Sequence, residues 1–312
     1  MKSPAAIAPA AACQRCESEP HNARNSSAAS PSINVLGVRV DDLSMNGALS
    51  KIAQILRARQ KGYLSAICVY GVMEAQRDTD LAGAYADAAI AIPDGMPVAW
   101  VGRLQGHREM QRVAGPDLMR EVFLRNEFAH YTHFFYGGKE GVAEELAASF
   151  GRLAPWARIV GTYTPPFRAL TPHEERELIA RINRCKPDMI WVGIGTPKQD
   201  KFMRCYLPKF DTHVMFGVGA AFDFHTGRIQ DCSDWIKRAG LQWLHRLIQD
   251  PKRLWWRYLS TNPVFLWRIA LQLTGLRTYS SVMKGRQVAR FSRQSAPEAP
   301  LQSRKHEVQS QR

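Results

Sequence analysis

Two apolar runs in the second half of the chain end in Gly-x-Gly, and polar side chains follow each of them. The first run ends at Gly195 and is followed by Lys198 and Gln199. The second ends at Gly219 and is followed by Asp223. Buried strands that stop at glycines present backbone N–H groups to phosphate-bearing ligands in open α/β sheets. The pattern therefore predicts a nucleotide or nucleotide-sugar site.

Neither glycine segment is a complete dinucleotide-binding fingerprint. Lys198 occupies the place of the third glycine in the first segment, and the second segment lacks that glycine as well. A Walker-type Gly-Lys-Ser/Thr element is also missing. Because an isolated Gly-x-Gly is weak evidence for any one ligand, another nucleotide-binding enzyme, such as an oxidoreductase, stays open as an alternative.

Two charged residues outside these segments have chemistry that suits such a site. Asp94 follows a short apolar stretch in Pro-Asp-Gly-Met-Pro. A carboxylate at the end of a strand faces the ligand crevice, where it can act as a general base, although Asp-Gly is also an ordinary turn signal. Arg112 precedes a helical segment and can make a forked contact to phosphate, although such arginines are commonly surface residues.

No metal site or cofactor is predicted. Asp78 and Asp80 resemble the carboxylate pair of metal-dependent sugar transferases, but they fall at a predicted helix start, where acidic residues interact favourably with the helix dipole. The nine histidines show no metal-ligand spacing. Cys13 and Cys16 form a close pair, but no second pair completes a zinc site.

The C-terminal third is basic and aromatic. The net charge of the chain is +14, and Asp250 is the lone acidic residue between Lys237 and Arg257. A nucleic acid, an anionic membrane surface or an anionic substrate would each suit this charge. Interleaved tryptophans favour a membrane surface, and no nucleic-acid-binding motif is found. Arg246, Arg253 and Arg257 are candidates for clamping a diphosphate.

Strands and helices alternate over residues 33–233, which predicts an α/β domain whose mostly parallel sheet carries helices on both faces. The first apolar stretch is either one strand or a hairpin bent at Gly37. Farther along, the apolar spacing predicts a single helix over Glu74–Ala88. A chain of 312 residues is long enough to bury a sizeable core.

A helical appendage is predicted over residues 234–280. An amphipathic helix is expected over Asp234–Gln249. Asp-Pro and Asn-Pro start signals then predict two short helices, Lys252–Ser260 and Val264–Leu273.

The two ends of the chain, residues 1–32 and the basic residues 281–312, lack periodicity and are predicted to be disordered tails. No apolar run reaches the ~20 residues needed to span a bilayer, and the first residues make a poor signal peptide. The cysteine usage also favours a reducing compartment. A cytoplasmic protein is therefore expected.

Several motifs, taken in order, resemble those of the WecG/TagA/CpsF family of bacterial glycosyltransferases between about Ile33 and Leu273. The matching segments are Pro93–Pro97, Arg112–Asp117, Phe134–Lys139, Gly193–Asp200, Gly217–Asp223, Gly240–Arg246 and Asp250–Tyr258.

The resemblance implies a Rossmann-like domain with a membrane-associating C-terminal appendage. It also implies inverting, metal-independent transfer from a UDP-sugar to a polyprenyl-diphosphate-linked sugar at the inner face of the cell membrane, by a protein that self-associates. By motif match, Asp94 takes the general-base role. Arg112, Gln199 and Asp223 match positions that contact the nucleotide-sugar or shape its pocket, and the arginines of the appendage match groups that hold the acceptor diphosphate.

One departure from the family pattern concerns the donor sugar. The family commonly has Thr-x-Asn at the end of the strand before Asp94, and those two places hold Ala66 and Cys68 here. The expected donor is therefore a hexose other than N-acetylmannosamine, with glucose favoured, used in exopolysaccharide or cell-surface polysaccharide assembly. A catalytically inert scaffold of that assembly is the alternative.

Overall fold

A β-hairpin opens the described part of the chain, which in this computed structural model covers residues 31–280. Strands β1 (Ser32–Val35) and β2 (Val38–Asp41) pair antiparallel. The turn between them takes Leu36 and Gly37 to φ angles of 50° and 88°. Positive φ is easily adopted by glycine, so the hairpin bent at Gly37 is the correct one of the two expectations.

Six parallel strands form the central sheet, in the order β4-β3-β8-β7-β5-β6. This confirms the α/β class and makes the sheet wholly parallel. Numbered by their place in the chain, the six strands run 2-1-6-5-3-4 across the sheet, which differs from the 3-2-1-4-5-6 order of dinucleotide-binding domains. The strands are β3 (Gly62–Ile67), β4 (Ile90–Pro93), β5 (Thr132–Gly137), β6 (Arg158–Tyr163), β7 (Met189–Gly193) and β8 (Val214–Gly217).

Helices cover both faces of this sheet. In chain order they are α1 (Met45–Arg57), α2 (Val69–Ala75), α3 (Thr79–Asp87), α4 (Met96–Leu104), α5 (Gly115–Leu124), α6 (Val142–Leu153), α7 (Pro172–Cys185), α8 (Lys198–Tyr206), α9 (Ala221–His225), α10 (Asp234–Arg238), α11 (Gln242–Gln249) and α12 (Pro251–Leu273). A short 3₁₀ turn spans Asn126–Phe128. One core contains Trp191 and residues of α1, α5 and α6, and another contains Ile190 and residues of α7 and α8.

Two stretches that were each predicted to be one continuous helix are divided into two helices. The stretch expected as one helix over Glu74–Ala88 is divided, since Asp78 accepts hydrogen bonds from the backbone N–H groups of Asp80 and Leu81 and so starts α3. The helix expected over Asp234–Gln249 is interrupted at Gly240, whose φ is 71°.

At Pro263, two short helices were predicted where the structure has one, because this proline was expected to start a new helix. Helix α12 instead continues through this proline. An internal proline removes a backbone hydrogen bond and costs about 3 kcal/mol. Burial of Phe265 and Ile269 against the hairpin and α2 offsets this cost, because a fully buried side chain of this kind contributes roughly 1.5–3 kcal/mol.

The end of α12 is part of the main core. Besides the apolar packing, the Gln272 side chain accepts a hydrogen bond from the Leu36 N–H at 2.9 Å and donates one to the Asn34 carbonyl at 2.7 Å. The core thus continues into the predicted appendage, 234–280. The tails predicted at residues 1–32 and 281–312 fall almost wholly outside the described residues. Within residues 31–280, no helix is both long and apolar enough to cross a membrane.

Candidate active site

The carboxyl ends of the parallel strands open into a cleft of about 2400 Å³. Helices α10, α11 and α12 form its outer wall. The side chain of Arg253 lies outside what the structure describes. The other predicted site residues all line the cleft: Asp94, Arg112, Gly195, Lys198, Gln199, Gly219, Asp223, Arg246 and Arg257.

Asp94 is half-buried at the end of β4. Its backbone N–H donates to the Ile67 carbonyl at 2.9 Å, which ties this strand end to the end of β3. Burial raises the pKa of the Asp94 carboxyl above its ordinary value, while the positive charges of Arg112 and Arg246 partly offset the rise. A carboxylate with a raised pKa in a cleft is well suited to general-base catalysis.

The Gln199 side chain connects the turn at residues 193–196 to the turn at residues 217–219, which are called here the two glycine turns. Only 2% of it is exposed, and its side-chain oxygen accepts a hydrogen bond from the Gly219 N–H at 3.0 Å. Its amide nitrogen lies 3.5 Å from the Thr196 hydroxyl. The side chain therefore braces the turns and shapes the pocket, because both ends of its amide already have partners within the protein.

A carboxylate that was not among the predicted site residues lies beneath these turns. Asp200 is fully buried at the start of α8, and its carboxylate accepts a hydrogen bond from the Thr196 hydroxyl at 3.0 Å. Burial raises the pKa of Asp200 to about 6, with the hydroxyls of Ser65 and Thr196 partly offsetting the rise. Its place in the first turn of a predicted helix made it resemble an ordinary dipole-stabilising acid.

Close approach of two strand ends explains a second residue that was missed. A Cβ atom on Gly137 would lie 2.7 Å from the backbone of Gly193, and the φ of Gly137 is 127°. Only glycine fits both requirements. The ends of β5 and β7 can therefore meet at the floor of the cleft.

Arg112 joins the sheet domain to the appendage. One guanidinium nitrogen donates to Asp117 and another donates to the Gln242 side chain, both at 3.0 Å. The Nε atom is buried and has no hydrogen-bond partner among the described residues. An unpartnered buried donor beside a cleft is a natural contact for an anionic ligand.

Arg246 and Arg257 of the appendage line the cleft and have no carboxylate partner in the part of the chain that the structure describes. Arg246 lies 5.6 Å from the centre of the Phe224 ring. Arg257 lies 4.8 Å from the centre of the Tyr70 ring and 5.4 Å from that of Tyr258. Together with exposed Lys198 on the opposite wall, at the start of α8, they give the cleft unneutralised positive charge that favours a phosphate or diphosphate group.

Three further residues that line the cleft are Asp223, Trp100 and Cys68. Asp223 is half-buried on α9 and faces it from the second glycine turn. Trp100 packs on the turn between α10 and α11, since a Cβ atom on Gly240 would meet its ring at 2.4 Å. The Cys68 thiol lies at the floor, where burial and the neighbouring charge of Asp94 raise its pKa to about 11. That thiol is neutral at physiological pH.

Within the described residues, no three His, Cys, Asp or Glu side chains are grouped so as to hold a metal ion. The aspartates that resemble a metal-binding pair do not line the cleft. Asp78 caps α3 and forms an ion pair with Lys201 instead. This arrangement agrees with the interpretation of Asp78 and Asp80 as helix-start residues.

Comparison with known proteins identifies similar chains. The sequence model described as the glycosyl transferase WecG/TagA/CpsF family matches residues 33–279. An N-acetylglucosaminyldiphosphoundecaprenol N-acetyl-beta-D-mannosaminyltransferase of Bacillus subtilis (strain 168) is 32% identical over 185 residues, which cover 59% of this chain and 70% of that protein. The protein of the same name from Bacillus spizizenii is 30% identical over 193 residues, 62% of this chain and 72% of that protein.

Proposed function

Because the chain belongs to the glycosyl transferase WecG/TagA/CpsF family, we propose that it moves a hexosyl group from a UDP-sugar to a sugar carried on a polyprenyl diphosphate. The product would enter exopolysaccharide or cell-surface polysaccharide assembly. One observation carries the proposal. The raised-pKa carboxyl of Asp94 shares a cleft with Lys198, Arg246 and Arg257, which have no carboxylate partners in residues 31–280.

The proposed reaction is a single inverting displacement. Asp94 takes the proton of the acceptor hydroxyl while that oxygen attacks the anomeric carbon of the donor. UDP leaves from the opposite side of that carbon and gains negative charge. Lys198 and the free Nε of Arg112 are the proposed groups that stabilise this charge, together with backbone N–H groups at the glycine turns. This set of groups is proposed to work without a metal ion.

The acceptor is proposed to approach from the appendage. Arg246 and Arg257 would hold its diphosphate, and Arg253 stays a prediction from the sequence. The outer surface of α11 and α12 exposes large apolar side chains close to these arginines, which suits the anionic inner face of a cell membrane. Outside the cleft lining, the exposed side chains on these two helices include Ile248, Trp256 and Trp267. Exposed apolar side chains that also line the cleft are Leu244, Trp255, Leu259 and Leu266.

The identity of the donor needs a correction. The printed names of both relatives specify an N-acetylmannosaminyl group, and nothing in these comparisons supports the glucosyl donor expected from the sequence. Ala66 and Cys68 line the cleft beside Asp94, so a small apolar group and a neutral thiol replace the hydroxyl and amide of the family pattern. The proposed donor is therefore a UDP-hexose, and assay of a panel of UDP-sugars identifies which one is used.

Acceptor-dependent UDP release is the test. A panel of UDP-sugars, including UDP-glucose and UDP-N-acetylmannosamine, is assayed in detergent with polyprenyl-diphosphate-linked sugars and EDTA. Release with one donor should fall by about 10²–10⁴-fold in Asp94→Asn, because general-base catalysis contributes that much. Asp80→Asn, an exposed carboxylate outside the cleft, is the matched control.

Two results would contradict parts of this proposal. Full activity in Asp94→Asn would remove the general-base assignment. Folded protein that releases UDP with none of the donors and acceptors would favour the inert scaffold, for which the replacement of Thr-x-Asn by Ala66 and Cys68 is the supporting observation.

A further inference from the structure

The surroundings of Arg257 are unusual for an arginine in a ligand cleft. Its guanidinium contacts the faces of two aromatic rings, Tyr70 and Tyr258, and makes no ion pair with any described residue. Its Nε atom is buried and lacks a hydrogen-bond partner among those residues. Contact with a ring face occupies the flat side of a guanidinium and leaves its N–H edge available for hydrogen bonds.

Tyr70 is the nearer of the two rings and belongs to the opposite wall of the cleft. It is half-buried in the first turn of α2, two residues after Cys68, and lines the cleft together with Arg257. The backbone beside it has little freedom, since a Cβ atom on Gly71 would lie 2.2 Å from the Tyr85 hydroxyl. Tyr70 therefore belongs to a closely packed segment of the sheet domain, whereas Arg257 belongs to the appendage.

We propose that Tyr70 is a positioning residue that stacks on Arg257 and keeps its N–H edge free for the diphosphate of the ligand. Tyrosine attracts the cation through its ring without neutralising it, whereas a carboxylate here would occupy the N–H groups. The proposal rests on the proposed function for the identity of the ligand. It adds a partner for Arg257 from the sheet domain, Tyr70, that lies outside the matched family motifs.

The same diphosphate chemistry has two sources, the UDP donor and the lipid-linked acceptor. Arg257 lies on α12 beside two tryptophans that are half or more exposed, of which Trp255 lines the cleft and Trp256 lies outside it on the outer surface. A ligand that carries both a diphosphate and a lipid chain would reach this arginine from that surface. The Tyr70–Arg257 pair is therefore assigned to the acceptor.

Binding of two soluble probes to the full chain tests this assignment without relying on catalysis. Farnesyl diphosphate represents a lipid-borne diphosphate, and UDP represents the donor. By calorimetry, Tyr70→Leu should weaken farnesyl diphosphate binding by roughly 3- to 10-fold, in the range of a cation–π contact, and leave UDP binding unchanged. Tyr70→Phe keeps the ring and should bind both probes like the wild type.

A double-mutant cycle separates positioning from general loss of structure. Arg257→Ala should weaken farnesyl diphosphate binding, and adding Tyr70→Leu to it should have no further effect. Arg257→Lys keeps the charge but loses the planar stack, so it should weaken binding about as much as Tyr70→Leu. It also serves as the second test if Tyr70→Leu does not fold, as judged by circular dichroism.

Several outcomes would overturn the inference. These are no binding of farnesyl diphosphate to the wild type, wild-type binding by Tyr70→Leu, and independent, additive losses in the cycle. A loss of UDP binding instead would move the pair to the donor side. Failure of the proposed function is a separate result, in which the probes bind as expected but no sugar reaches any acceptor.

Discussion

The strand ends and the C-terminal helices form opposite walls of one cleft. Their polar side chains differ in whether they already have hydrogen-bond or ion-pair partners within the protein. At the strand ends, Gln199 and Asp200 are buried and held by hydrogen bonds to the glycine turns and to Thr196. On the helices, Arg246 and Arg257 rest on aromatic rings and have no carboxylate partner in the described residues.

This difference suits the two walls to different functions, which are positioning the reacting atoms and capturing the ligand. A buried polar group costs free energy unless it is bonded. The hydrogen bonds of Gln199 and of one Asp200 oxygen hold the strand-end wall in place before a ligand arrives, whereas the other Asp200 oxygen has no partner among the described residues. Such preorganisation suits the reacting atoms. Cations without counterions on an exposed wall are stabilised by the ligand itself, which suits capture of an anionic, membrane-borne substrate.

The largest expected effect is on the rigid wall. Gly137→Ala should lower the free energy of unfolding by about 3 kcal/mol or more, because the new methyl group would meet the Gly193 backbone at 2.7 Å. Gly141→Ala is the matched control. It also has a positive φ, but nothing lies within 4 Å of its Cβ position, so a loss of about 1 kcal/mol is expected. Equal losses in urea unfolding would contradict the close approach of these strand ends.

Asp200 tests whether a buried carboxylate in this wall costs stability. Its pKa is raised from 3.8 to about 6 in the folded protein, so the folded state binds the proton more tightly. The contribution of Asp200 to stability should therefore fall as pH rises from about 4 to about 6. The difference in unfolding free energy between the wild type and Asp200→Asn should shift by about 2–3 kcal/mol across this range.

The comparison for Asp200 uses urea unfolding at pH 4 and pH 7.5. The control, Asp80→Asn, removes an exposed carboxylate on α3 and should show no such shift relative to the wild type. Parallel pH dependence in the wild type and Asp200→Asn would mean that the group is not buried as a carboxylate in the folded protein.

Arg246 tests the electrostatic link between the two walls. Its positive charge lowers the pKa of Asp94, so Arg246→Ala should raise that pKa further. The acid limb of kcat/KM should then move to higher pH, because the general base must be deprotonated. The acceptor KM should also rise by roughly 10- to 100-fold through loss of a charged hydrogen bond.

Two variants sharpen the interpretation of Arg246. Arg246→Lys keeps the charge, so its acid limb should stay in place while the acceptor KM rises. Arg257→Ala should raise the acceptor KM without moving the acid limb, since its charge is not among those that act on Asp94. If the acid limb of kcat/KM in Arg246→Ala stays at the wild-type pH, the proposed electrostatic effect of Arg246 on Asp94 is contradicted.

The smallest expected effect concerns the exposed surface of the appendage. Replacing Trp256 and Trp267 together by Ser should weaken binding to anionic vesicles by roughly 30-fold, as each exposed tryptophan contributes on the order of 1 kcal/mol at an interface. Transfer to a short-chain acceptor in detergent should be unaffected. Phe167→Ser, an exposed aromatic residue in the loop after β6, is the control and should bind vesicles normally. Sedimentation with vesicles measures the difference.

Local patterns predicted the parts of the fold that depend on neighbours in the chain. The mostly parallel sheet and the glycine turns follow from apolar spacing and glycine conformation, and the turn at Gly37 was one of two alternatives for the first apolar stretch. The gathering of Asp94, Lys198 and Asp223 in one cleft was also predicted, because carboxyl ends of parallel strands share one edge. Proline at position 263 predicted a helix start, and that local signal failed because packing of the following turns outweighed it.

The sequence by itself determined the fold class, the edge of the sheet that carries the candidate site and the family, since these depend on periodicity and on motifs read in order. Only the tertiary structure decided which polar groups are already occupied. Gln199 was predicted to contact the nucleotide-sugar or shape its pocket, and its side chain braces the two glycine turns, whereas Tyr70 lay outside the prediction and contacts Arg257. The physical reason is that partners far apart in the chain decide whether a side chain is bonded or free, and local spacing carries no information about them.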